Sequence, residues 1–127
     1  MTQTEIDKLA GTIGGPLALG LGLAPILSLA VNGACPIDQD RFILMTKAGV
    51  LALSIAAPGA ANIGRVLAIY GATADQNVLT FTGGTLRSGA AGVTTVTGAA
   101  AIGSGITVRA VSATTWQLMA NTLAVVT

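Results

Sequence analysis

The chain has 127 residues, 52% of them hydrophobic and only 9% charged, with net charge +1, no histidine and one cysteine. An ordinary soluble domain is about 25% charged, so a monomer of this composition is short of groups to cover its own surface. That surface is expected to be covered by copies of the chain, by a larger assembly or by a membrane, and a structural role comes forward before any motif is read.

The cations Lys8, Arg41, Lys47, Arg65, Arg87 and Arg109 are scattered singly, and the aromatics are only Phe42, Tyr70, Phe81 and Trp116. No basic patch with stacking rings is present, so nucleic-acid binding is not expected. Disorder is not expected either, because disordered chains are poor in apolar residues and rich in net charge. Glu5 and Asp7 stand where a secretory signal needs positive charge, so folding is expected in the cytoplasm where the chain is made.

In chain order, residues 2–10 read as a short helix, with Thr2 and Glu5 as a capping box and Gly11 as a stop. So short a helix is stable only when docked. Residues 9–37 contain no charge. By length this tract could span a bilayer, and a membrane segment through 12–34 is one alternative. However, Gly14, Gly15, Gly20, Gly22, Pro16 and Pro25 weaken a helix there, and neither aromatic belt nor basic anchors flank it. The preferred reading is an extended apolar arm. Leu17, Leu19, Leu21 and Leu23 alternate with small residues, giving a strand with one leucine face. With Ile26, Leu27 and Leu29 they form the expected assembly interface.

From Phe42 onward short strands follow one another: 42–46, 50–55, 65–70, 78–82, 85–88, 93–97, 105–111, 114–120 and 123–126, separated by Gly, Pro and Asn turns. The alternation puts Leu51, Leu53 and Ile55 on one face, and likewise Leu67 with Ile69, Leu79 with Phe81, Ile106 with Val108, and Trp116 with Leu118. The expected fold is all-β, a sandwich or jelly-roll-like domain over 41–127, preceded by an N-terminal arm over 1–40 that holds the short helix and the apolar tract. No fixed internal period emerges, which argues against a solenoid.

Catalytic hardware is sparse. Asp38-x-Asp40 lacks the glycine and distal glutamate of a calcium loop and reads as a surface turn. Gly103-Ser104-Gly105 lacks a base and reads as a turn, and Gly14-Gly15 and Gly20-x-Gly22 lack the lysine of a phosphate loop. Asp40 and Asp75 are the acids left for a glycosidase pair, without aromatic platforms beside them. Cys35 reads as a small buried hydrophobe. The chain is therefore not expected to be an enzyme or to hold a metal or cofactor. Trp116 reads as a core or interface anchor, with ligand contact as the lesser alternative. Arg65, Arg87 and Arg109 offer planar forks for carboxylates on a neighbouring chain, and Arg65, Arg109 and Trp116 complete the expected interface.

Four segments carry a resemblance: Lys47-Ala-Gly-Val-Leu-Ala-Leu-Ser-Ile-Ala-Ala-Pro58, Gly64-Arg-Val-Leu-Ala-Ile-Tyr-Gly-Ala-Thr-Ala74, Asn77-Val-Leu-Thr-Phe-Thr-Gly83, and Gly105-Ile-Thr-Val-Arg-Ala-Val-Ser-Ala-Thr-Thr-Trp-Gln-Leu118. Together they resemble small β-rich bacteriophage virion proteins, particularly head decoration (cement) proteins. The third segment stands where such proteins often carry a His-Thr-Val-Thr-like strand, and the fourth is similar to their closing hairpin with its tryptophan. The tract 9–37 has no counterpart. The resemblance implies a non-catalytic protein on the outer capsid surface of the virion, bound to the major capsid protein, commonly as a homotrimer at a local symmetry axis. Similar hairpins occur in phage tail and fibre proteins. That leaves a host-glycan-binding module as the alternative, with Tyr70 or Trp116 near Asp75-Gln-Asn77 as its platform.

Overall fold

The computed structural model describes residues 26–88 and 91–127. The expected helix at 2–10 and the tract up to residue 25 lie outside the described residues. The strands are β1 (Ile26–Leu29), β2 (Gly33–Ala34), β3 (Arg41–Met45), β4 (Ala52–Ala56), β5 (Val66–Gly71), β6 (Val78–Thr82), β7 (Thr85–Ser88), β8 (Ala91–Val93), β9 (Thr95–Thr97), β10 (Gly105–Ala110), β11 (Thr115–Thr122) and β12 (Val125–Val126), with one 3-10 turn at Ala60–Asn62. The fold is all-β. One sheet has seven strands in the order β1-β3-β5-β10-β11-β7-β8, and the other has five in the order β12-β9-β6-β4-β2.

Both sheets are mixed, because the first half of the chain winds between them. β1, β3 and β5 lie side by side and parallel in the seven-stranded sheet, while β2, β4 and β6 do the same in the other. The turns of this winding are unequal. Ile26 pairs with Phe42, 16 residues on, and Phe42 with Ala68, 26 residues on. In the other sheet Gly33 pairs with Leu53 and Leu53 with Leu79, steps of 20 and 26. Unequal turns leave no period in the sequence, even though the backbone winds as a short helical coil. After β6 most of the pairing is antiparallel: β10 runs antiparallel between β5 and β11, while β7 lies parallel to β11.

Residues 26–40 carry β1 and β2, hydrogen-bonded into both sheets. They belong to the β body, on the far side of the boundary that composition places at residues 40 and 41. The same pairing means that the stretch 12–34 is not one continuous helix. Among the described residues no helix is long and apolar enough to cross a membrane.

Strand alternation sends one set of side chains from each sheet into a common core. Ile43, Met45, Leu67, Ile69, Ile106, Val108 and Trp116 come from the seven-stranded sheet, and Leu53, Ile55, Leu79, Phe81 and Val96 from the other. Trp116 is fully buried, and its indole Nε1 donates a 2.9 Å hydrogen bond to the Ala56 carbonyl at the end of β4, in the opposite sheet. The bond satisfies the ring's only polar group inside the core.

Asn77, also buried, accepts from the Leu51 amide at 2.8 Å through Oδ1, while its carbonyl accepts from the Gly98 amide at 2.8 Å. It thus clamps the entry to β4 and the exit of β9 onto β6. Gly105 begins β10 where a Cβ would collide with the Ile69 carbonyl and the Tyr70 Cα, so no other residue fits. Asn121 closes the last turn by bonding both backbone groups of Ala124.

Trp116→Phe keeps a large ring but loses the bond to the Ala56 carbonyl, at the exposed end of β4, and the loss of that bond is expected to cost about 0.5–1.5 kcal/mol. Gly105→Ala is expected to cost more than about 4 kcal/mol or to block folding. Urea unfolding checks both, and an unchanged midpoint for Trp116→Phe would show that the indole bond does not help to join the sheets.

Candidate functional site

The side chains that alternate with the core on β3, β5 and β10 form the outer face of the seven-stranded sheet. On most two-layer β proteins this face is polar. Here Phe42, Leu44, Ala68 and Tyr70 stand on it, all half-buried. The Phe42 and Tyr70 rings stack with centroids 5.7 Å apart and planes 15° from parallel. The Tyr70 hydroxyl and Thr107 Oγ1, on β10, share a 2.9 Å hydrogen bond. These side chains line an open groove of about 600 Å³, whose wall is completed by Ile102 and the small residues Gly71, Ala72 and Gly103. The groove's volume lies within the range of ordinary ligand and docking pockets.

Ile102 sits on the loop before β10, 73% exposed, next to Gly103 in the left-handed region at φ 87°. Ile26 pairs with Phe42 and is 66% exposed. It extends the apolar surface to the sheet edge. Farther across the same face the character changes: Arg109, Gln117 and Arg87 stand in one cross-strand row, both arginines exposed. A contiguous apolar patch rimmed by polar groups marks an interaction surface.

The expected interface residues separate into three groups. Leu17, Leu19, Leu21 and Leu23 lie outside the described residues. Ile26 and Arg109 stand on the outer face, at the apolar edge and in the polar row respectively. Leu27 and Leu29 are in register with the buried Ile43 and Met45 and are half-buried, Leu29 packing on the core. Trp116 is core, with no surface left for a ligand or a neighbour. Arg65 is spent locally, its Nε and Nη2 donating to Asn62 Oδ1 at 3.3 and 3.1 Å. Phe42, Leu44, Ala68, Ile102 and Thr107 are absent from the expected interface. Their signal is the second apolar row on strands already known to have one inward.

The acids among the described residues, Asp38, Asp40 and Asp75, are likewise held by hydrogen bonds within the chain. Asp38 and Arg41 form the one ion pair among the described residues, at 3.0 Å. The guanidinium hydrogen bond holds the Asp38 carboxyl below the usual carboxylate range. Asp40 Oδ1 accepts from the Val66 amide at 2.6 Å, tying the approach to β3 onto β5. Asp75 Oδ2 accepts from Thr73 Oγ1 at 2.8 Å and from the Gly49 amide at 3.1 Å. Ser104 is buried, and its Oγ accepts from the Ala99 amide at 2.8 Å. Among the described residues no cluster of three or more His, Cys, Asp or Glu side chains could hold a metal ion.

No family model matches this chain, and comparison with the curated proteins and with the solved structures yields no match either.

Cys35 follows β2 and is buried; burial pushes its thiol up from an ordinary 9.0 to about 12, with the Arg41 charge opposing in part. At pH 8 its thiolate population is about a thousand-fold below that of an ordinary thiol. The folded state holds this proton more tightly than the unfolded chain does. Stability from this group is therefore level below about pH 9 and falls as pH rises toward 12. Iodoacetamide at pH 8 is expected to label native protein at least ~100-fold more slowly than urea-unfolded protein. Equal rates would place the thiol at the surface.

Proposed function

We propose that this chain is a non-catalytic building block of a larger assembly: a decoration protein on the outer capsid surface of a bacteriophage, made in the host cytoplasm. In this reading the two sheets form a β-sandwich that serves as a rigid plate, and its outer face binds between neighbouring major capsid subunits. The observation that carries the proposal is the apolar outer face, where Ile26 and Ile102 flank the Phe42–Tyr70 groove. A core already filled from both sheets needs no further apolar cover, so this second surface calls for an external partner.

The energetics favour repetition by symmetry. Apolar area removed from water contributes roughly 25 cal/mol per Å², and association costs about 4–15 kcal/mol. A single patch of this size gives modest affinity, while a homotrimer engaging several capsid subunits together gains by effective concentration. The resemblance to cement proteins supplies the specific partner. The fibre or glycan-binding alternative finds less support here. A sugar platform needs convergent polar groups beside the ring, and the Tyr70 and Thr107 hydroxyls bond each other while Trp116 lies in the core.

The test uses undecorated shells of the parent phage. The wild-type chain is expected to co-sediment with shells to a fixed stoichiometry and to raise the temperature at which they break. Ile102→Asp is expected to weaken that binding at least ~10-fold while changing unfolding free energy by no more than ~0.5 kcal/mol, as befits a surface position. Wild-type protein that ignores shells, or an Ile102→Asp chain that decorates normally, would contradict the proposal.

A further inference from the structure

We infer that residues 26–38 form a strap that opens as one unit while the rest of the β body stays folded, so that Cys35 is uncovered without global unfolding. The inference goes beyond the capsid reading and does not depend on it: it concerns the first coil of the winding, not the outer face.

Three observations converge on the strap. The first is topological. β1 is the edge strand beside β3, β2 is the edge strand beside β4, and only Ala30-Val31-Asn32 separates them. Each has a single strand neighbour, and both lie at the same end of the winding. A terminal coil that touches only the next coil is the first part of such a structure to open. Its departure removes one edge strand from each sheet and leaves β3 paired with β5 and β4 with β6.

The second is the distribution of burial. Within 26–38 only Cys35 is buried. Ile26 and Val31 are exposed, while Leu29 and Ile37 are half-buried against the side of the core. The strands behind the strap are held quite differently, by the buried Ile43 and Met45 of β3 and the buried Leu53 and Ile55 of β4. Apolar burial is the main favourable term in folding. The strap therefore has little of what holds β3 and β4, and of the core residues only Cys35 leaves with it.

The third is the character of the polar ties. Asn32 Oδ1 accepts from the Ala52 amide at 3.0 Å and from Lys47 Nζ at 3.3 Å, both at exposed positions. Arg41 Nη2 holds Asp38 at 3.0 Å, but Asp38 is 76% exposed, and an ion pair open to water contributes little. Arg41 Nε is buried without an acceptor, so the guanidinium grips Asp38 through one nitrogen rather than two. Behind the strap the chain is fixed again, because Asp40 Oδ1 accepts from the Val66 amide at 2.6 Å. The pivot thus falls at Gln39, between Asp38, which leaves, and Asp40, which stays. The open form bares the edges of β3 and β4 as unpaired strands.

The test follows iodoacetamide labelling of Cys35 in the full chain at urea concentrations below the unfolding midpoint, beside amide exchange read by mass spectrometry. The urea slope of the labelling free energy is expected to be above zero but at most about one-third of that for global unfolding, because the slope scales with the surface exposed. The amides of β1 are expected to exchange with the same slope as the thiol. Val108→Ala, in β10, is expected to raise the globally unfolded fraction at least ~10-fold and to change Cys35 labelling less than ~2-fold, since the strap opens without disturbing that strand. Ile106→Val serves if Val108→Ala does not fold. Asn32→Ala is expected to speed labelling by ~3-fold or more through loss of its two bonds.

Labelling with the full slope of global unfolding, or labelling that rises in step with the unfolded fraction in Val108→Ala, would show that Cys35 is uncovered only when the whole body unfolds, and would overturn the inference. A slope of zero with β1 still protected would also overturn it, by showing that the thiol's own surroundings breathe without the strap. No shells are present, so the outcome is independent of the decoration test.

Discussion

The bond from the Trp116 indole to the Ala56 carbonyl crosses the core and ties the closing hairpin of one sheet to the parallel layer of the other. Around it the chain alternates between sheets, so that every strand from β1 to β6 is covalently followed by one in the opposite layer. Neither sheet can form its inner face without the other. The core is therefore a single unit, and the orientation of every outward side chain follows from it, because a one-residue slip would exchange the two faces. The groove inherits its geometry from that lock: Phe42, Ala68 and Thr107 stand in one row because Ile43, Ile69 and Ile106 are held in the next.

A second constraint explains why the outside is greasy. Parallel neighbours such as β3 and β5 usually belong to sheets covered on both faces, and their sequences read as continuous apolar runs. Phe42-Ile-Leu-Met45 and Val66-Leu-Ala-Ile-Tyr70 are runs of that kind. In this chain the described residues cover only the inner face, which leaves the outer one apolar along β3 and β5, whose sequences are such runs. It turns polar where β10, β11 and β7 carry Arg109, Gln117 and Arg87. The surface is thus divided between a region suited to burial and a region suited to water.

Much of the fold was legible in the sequence, and the limits have physical causes. The strands at 78–82 and 85–88 coincide with β6 and β7, and the inward sets on β4, β5, β6 and β10 follow from simple alternation. The strand expected to end at residue 120 runs on to Thr122, and Asn121, inside it, closes the following turn through its side chain, which bonds both backbone groups of Ala124. β1 and β2 were hidden inside an uncharged tract where apolar content does not distinguish a strand from an arm. Parallel pairing left no trace, since alternation records which face a residue occupies and not which strand lies beside it. The outer face was hidden for a related reason: a strand apolar on both sides reads as one with a single core face and tolerant exterior. Trp116 was open between core and interface until its indole partner was seen, 60 residues away in sequence.

The central claim is that this fold is complete on its inside and incomplete on its outside. Amide hydrogen exchange as a function of protein concentration tests it most directly. Protection in β5, β6 and β10 is predicted to be independent of concentration, because it reports the opening of the shared core. Protection in β1 and in the 99–104 loop is predicted to rise with concentration, as neighbouring copies cover Ile26 and Ile102. Exchange at those segments that does not change from micromolar to millimolar protein would contradict the account.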